Sequence, residues 1–273
     1  MRTAFVLSGG GVKGSFQVGV LHQLLSRGIV PDAIYGTSAG AINACSVAYL
    51  GADKAVDYWL SIKGRGDALY PTGIAWLWNF WRLLGVWNDG IYSTKPLRKI
   101  ITSVVKSNPN PTLEAISCFV DLTNGKVGYT SNKSSPDAYI DSVISSATIP
   151  MIMETNQLRV DGGVREQTPV TKAIADGATE IYVILCNPYV PDPLGVWSHN
   201  ALFFKWFDTL NRAVDDVMCH EIFLTDLEEC LENKDVKFHV YAPDRLWMGT
   251  IEFDPTKIKA AIAAGKTAVP IIL

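Results

Sequence analysis

A three-layer α/β/α fold around a mostly parallel central sheet is predicted by three features of the sequence. Short apolar runs alternate with helical patterns, two of those runs lead through glycine-rich turns directly into helices, and 273 residues at 48% apolar composition can bury one sizeable core. A single domain over residues 1–273 is expected, with its motif-bearing core at about 4–186 and residues 187–273 completing or capping the fold.

The strand-like runs are Ala4 to Leu7, Ala33 to Tyr35, Ile116 to Val120, Ile181 to Cys186 and Val236 to Tyr241. After the first, Phe16, Val20 and Leu24 share one helical face, and Arg27-Gly28 supplies a stop. After the second comes GTSAG, followed by a helix-compatible stretch through Ala41, Cys45 and Ala48. Ligands in such parallel sheets gather at the carboxyl ends of the strands. From Pro71 to Tyr92 the composition changes: Trp76, Trp78, Trp81 and Trp87 stand among Leu, Ile and Phe, which reads as an insertion over the sheet. One or two helices are expected between Ala201 and Glu232, with the acidic run Asp226 to Glu232 as a solvated face.

Composition excludes several classes. Net charge is −3 and the basic residues are scattered, so no nucleic-acid footprint is visible. Five widely spaced cysteines without a CxxC pair fit neither a disulfide framework nor a zinc site, and a reducing compartment is the simplest reading. The Thr3 to Leu7 run is too short for a signal peptide, and no apolar run reaches the ~18 residues that a spanning helix needs. A cytoplasmic protein, at most peripheral to a membrane, is expected.

Three segments carry chemistry. GTSAG, Gly36 to Gly40, matches the nucleophile elbow, in which a sharp strand-to-helix turn lifts a serine hydroxyl out of the sheet. The small neighbours Gly36, Ala39 and Gly40 suit such a crowded turn, and the helix behind Ser38 points its N–H groups at developing negative charge. By itself the pattern is also a common glycine turn. GGGVKG, Gly9 to Gly14, follows the first strand and opens a helix, so its unobstructed N–H groups can cradle either a phosphate or an oxyanion. A dinucleotide site would need an acidic residue ending the second strand, where Tyr35 and the serine elbow stand instead; a Walker loop would need Lys where Ser15 stands. VDGG, Val160 to Gly163, places Asp161 at the end of a short apolar stretch, as a general base or as an ordinary Asp-Gly turn.

In this order, GGGVKG, GTSAG and DGG resemble the patatin-like phospholipases, and the likeness extends from Ala4 to about Ala178 through SSATIP and PVTKAIADGATEIYVI. The resemblance implies a lipid acyl hydrolase with a Ser–Asp dyad. Ser38 would be the nucleophile, Asp161 its base, and the N–H groups of Gly9, Gly10, Gly11 and Ala39 the oxyanion donors, with Gly14, Gly36, Gly40, Gly162 and Gly163 supporting the motifs. Lys13 would orient the loop or meet a lipid phosphate, or else be a solvated surface cation. No metal and no cofactor are expected; the partner is a lipid or phospholipid substrate. The Trp-rich 74–87 segment is a candidate for membrane contact and equally for core packing. An esterase or thioesterase for soluble acyl groups, and a non-catalytic phosphate- or lipid-binding module, are the alternatives. A conventional α/β-hydrolase would require His199, His220 or His239 in a triad, yet only one strand-helix unit precedes the elbow. His22 and His239 are read as structural, as is His220.

Overall fold

The computed structural model describes residues 1–67, 90–155, 157–190, 222 and 227–271. In chain order the elements are β1 (Thr3–Leu7), α1 (Gly14–Ser26), β2 (Ala33–Thr37), α2 (Ala39–Leu50), α3 (Ala52–Ser61), β3 (Gly90–Tyr92) and α4 (Lys95–Ser107). They continue with β4 (Glu114–Asp121), β5 (Lys126–Ser131), α5 (Pro136–Ser146), β6 (Met151–Met153), β7 (Arg159–Asp161), α6 (Val170–Ala175), β8 (Glu180–Ile184), β9 (Lys237–Tyr241) and α7 (Pro255–Lys266). All five predicted runs are strands.

The main sheet runs β5-β4-β2-β1-β8-β9, with β7 added on β4. Pairs β1–β2, β1–β8, β2–β4 and β8–β9 are parallel, while β5 and β7 meet β4 antiparallel. Alternating side chains of β1 feed two cores. Phe5 and Leu7 join the larger one, shared with α1, α2, α4, α5 and α7, and Ala4 and Val6 join the thinner one beneath α6. Burial on both faces gives these strands their continuous apolar runs. β1 is flanked by β2 and β8, so the chain turns one way after it and the other way later. The crevice at the carboxyl end of β1 is therefore a topological switch point, where open α/β sheets bind ligands.

Residues beyond 186 contribute β9 to the sheet edge, and α7 lies across α1. The two helices touch backbone to backbone: a Cβ on Gly19 would stand 3.0 Å from Gly265 Cα. Asp254 caps α7, accepting the N–H of Thr256 at 2.8 Å. Among the described residues no helix is long and apolar enough to cross a membrane, and no cluster of metal-ligating side chains occurs. The Trp-rich 74–87 segment, His199, His220 and most of 201–232 lie outside the described residues.

Candidate active site

Ser38 stands between β2 and α2 with φ 55° and ψ −121°, a conformation that costs a non-glycine residue of order 1–3 kcal/mol. Several contacts hold it there. Its N–H donates to Ser146 Oγ at 2.8 Å, its carbonyl accepts the Ala41 N–H at 2.9 Å, and Thr37 Oγ1 donates to the Glu166 carbonyl at 3.1 Å. The elbow needs its small residues for room: a Cβ on Gly40 would stand 2.5 Å from the Leu7 carbonyl oxygen, and one on Gly36 would overlap the Gly40 carbonyl.

Asp161 reaches the same place from the opposite direction. β5 occupies one edge of β4, so β2 and β7 share the other. Thr37 pairs with Cys118 and Asp161 pairs with Phe119, the next residue along β4. The two strands run toward each other and end one register step apart, about 3.3 Å along β4. Asp161 is 6% exposed, as is Ser38, and its Oδ1 accepts the Gly163 N–H at 2.8 Å. The SSATIP segment ties both ends, since Ser146 takes the Ser38 N–H and the Thr148 carbonyl takes that of Asp161 at 2.9 Å. Beside the junction the Cys118 thiol is pushed well above its ordinary pKa by burial and by the Glu166 carboxylate, which keeps it protonated and inert.

The glycine loop closes the third side. Gly14 lies against the elbow, since a Cβ there would stand 2.9 Å from Ala39 Cβ. Gly11 has φ +58°, and a Cβ on it would overlap the Thr250 carbonyl, which also accepts the Val12 N–H at 2.9 Å. Glycine is required at that position on both counts. Gly9 does not fit the donor role expected for it: its N–H is committed to the Gln167 carbonyl at 3.0 Å. The N–H groups of Gly10, Gly11 and Ala39 have no backbone acceptor among the described residues. Lys13 is 3% exposed, so the solvated-surface reading is overturned; it is packed within the loop.

Beside Ser38 opens a cavity of about 260 Å³ walled by α2, α3, α4 and residues 250–253. Its lining is apolar, with Ile42, Ala55, Trp59, Ile101, Val104 and Phe253 prominent. Among the described residues that line it Asp67 alone is charged, and its carboxylate accepts the Lys63 N–H at 2.8 Å. Such a slot suits an acyl chain, each buried methylene contributing about 0.8 kcal/mol. Ala55→Phe would fill it: if the motifs' implied acyl-hydrolase reading holds, kcat/KM for a long-chain p-nitrophenyl ester is expected to fall about tenfold relative to the acetate ester. Parallel melting curves would separate this from the ~1–3 kcal/mol cost of overpacking.

The described histidines are elsewhere. His22 Nε2 lies 3.1 Å from Asp53 Oδ1 on α3, and His239 stacks on Tyr182 with Nε2 2.9 Å from Glu180 Oε1 at the start of β8. Ser146, Gln167 and Thr250 were not anticipated from the sequence. Ser146 falls inside SSATIP, which carries the family likeness without marking this serine, and no local signal marks the other two.

Comparison with known proteins supplies the family. The sequence model of the patatin-like phospholipase family matches residues 5–174. Triacylglycerol lipase ptl3 of Schizosaccharomyces pombe is 54% identical over 47 residues, 17% of this chain and 10% of that protein. A patatin-like phospholipase domain-containing protein of Aspergillus niger is 36% identical over 83 residues, 30% of this chain and 11% of its own. Lysophospholipase NTE1 of Mycosarcoma maydis is 29% identical over 271 residues, 93% of this chain and 14% of its own. The chain thus spans only a small fraction of these relatives. Among solved structures, VipD from Legionella pneumophila aligns with a TM-score of 0.44 at 12% identity, over 97% of this chain and 65% of that one. With the family's sequence model covering well over half of its length, the chain belongs to the patatin-like phospholipase family.

Proposed function

We propose that the chain is a serine acyl hydrolase that cleaves carboxylic esters of lipids through Ser38 and Asp161. The observation that carries this reading is the end-to-end meeting of β2 and β7 on one edge of β4, beside an apolar cavity that includes Ser38. Asp161 takes the Ser38 hydroxyl proton as Oγ bonds to the ester carbonyl carbon. Negative charge moves to the carbonyl oxygen, where the N–H groups of Gly10, Gly11 and Ala39 receive it. The ester C–O bond then breaks, and the proton on Asp161 leaves with the alcohol. Water attacks the acyl-enzyme and gives a proton to Asp161; Ser38 Oγ departs with that proton, and the fatty acid is released. Every step uses side chains, backbone N–H groups and water.

The names of the relatives span triacylglycerol and lysophospholipid hydrolysis. What those substrates share is an acyl chain, and the apolar slot fits that common part. A fluorophosphonate tests the nucleophile directly: Ser38 Oγ displaces fluoride and becomes phosphonylated. One equivalent should be incorporated, mapped by mass spectrometry to the peptide that carries Ser38, with hydrolysis lost in step. Labelling elsewhere, or none while hydrolysis persists, would sink the assignment and favour a binding role for the glycine loop.

A further inference from the structure

Between the glycine loop and the Asp161 turn lies one side chain that touches both. Gln167 is 7% exposed, in the segment that follows DGG. Its carbonyl accepts the Gly9 N–H at 3.0 Å, the carbonyl of Glu166 accepts Thr37 Oγ1 at 3.1 Å, and the Glu166 N–H donates to the Gly162 carbonyl at 2.8 Å. This short stretch is thereby bonded to all three motifs. The carboxamide adds a steric link. A Cβ on Gly9 would stand 2.9 Å from Gln167 Oε1 and 3.0 Å from Nε2, and one on Gly163 would overlap Oε1. Gly163 in turn holds the Asp161 carboxylate by its N–H at 2.8 Å.

We infer that Gln167 is a positioning residue whose carboxamide, wedged between Gly9 and Gly163, sets the spacing of the oxyanion loop from the Asp161 turn. The inference rests on the Ser38–Asp161 reading above. Removing the wedge lets the loop and the turn approach or drift, while the acyl slot on α2, α3 and α4 is untouched. Misplacement by about 1 Å is enough to cost ~10²-fold in rate. The signature is therefore a loss in kcat with KM preserved.

The experiment compares Gln167→Ala, Gln167→Met, Gly163→Ala and the double variant Gly163→Ala/Gln167→Ala, with Ser38→Ala alongside, on a long-chain p-nitrophenyl ester. Active sites are counted by fluorophosphonate, so that kcat is expressed per reactive serine and a merely structural loss shows as fewer labelled sites. Gln167→Ala is expected to lower kcat about 10- to 100-fold with KM within about twofold. Gln167→Met, which keeps the length and bulk, should retain most of the rate. Gly163→Ala should be impaired chiefly because its Cβ overlaps the carboxamide, its approach to Asp161 Oδ1 being the looser 3.1 Å, and the double variant should lose less than the product of the two singles, because the larger obstruction is gone. Parental kcat per labelled site in Gln167→Ala, or losses that simply multiply, overturns the inference while a dead Ser38→Ala leaves the dyad standing. An active Ser38→Ala overturns both.

Discussion

Ser38→Ala is expected to lower hydrolysis of a long-chain p-nitrophenyl ester by about 10⁴-fold or more, while the melting temperature changes by no more than a few degrees. On the mechanism proposed, the serine hydroxyl supplies the bond to the acyl carbon, and the buried thiols of Cys45, Cys118 and Cys186 are not poised to replace it. Burial pushes the Cys45 and Cys186 thiols up to about 12, and Cys118 is raised as well. Asp161→Asn should be nearly as severe, about 10³-fold or more. The amide still offers an oxygen to the Gly163 N–H, so the turn survives, but it cannot take the Ser38 proton. His22→Ala and His239→Ala are the controls, since their partners are Asp53 and Glu180, and both should keep parental rates per labelled serine. Full activity in Asp161→Asn, or collapse in either histidine variant with the fold intact, would refute a dyad mechanism.

The second large effect is expected at Gly11. Alanine there would hold a left-handed φ of +58° and drive its Cβ into the Thr250 carbonyl. The backbone strain alone is worth roughly 1–2 kcal/mol. Relief requires the loop to move, which, on the mechanism proposed, carries the Gly10 and Gly11 donors off the position of the developing oxyanion. Loss of one such donor typically costs about 10²–10³-fold in kcat, and that is the fall expected for Gly11→Ala. Thr250→Ala added to it should not restore activity, because the obstruction is the carbonyl of residue 250, which every substitution retains. Recovery in that double variant would show that the Thr250 side chain, and not the backbone wall, limits the loop.

Much of this architecture was legible because strands buried on both faces write themselves as apolar runs. β1, β2, β4 and β8 are legible that way, β9 by its apolar run although it is an edge strand half-exposed at its start, and the elbow and the glycine loop are readable as turns fixed to strand ends. β5 was not, because its Lys126–Ser131 sequence is partly exposed along its length and has no apolar run. The pairing of β7 on the edge of β4 was equally hidden. Three residues of Arg-Val-Asp carry no register information, yet that register is what brings Asp161 to Ser38. Ser146 was out of reach for another reason: it lies 108 residues from the serine whose N–H it accepts, and only the folded chain joins them. The role expected of Gly9 failed because a glycine's N–H reads as free until the acceptor, here the Gln167 carbonyl, is known.

The close crossing of Gly19 and Gly265 has a bearing on when this site comes into being. The helix that carries Gly265 brings with it the Thr250 carbonyl against Gly11, and Ile251 and Phe253 to the side of the acyl slot. Synthesis runs from the N-terminus at about 5–20 residues per second, so the serine, the loop and the aspartate all emerge well before this last wall. By chain order, then, the elbow, the glycine loop and the aspartate precede the residues 250–253 that wall the cavity. The contact of two glycine-faced helices thus helps close the cavity that, on the function proposed, receives an acyl chain.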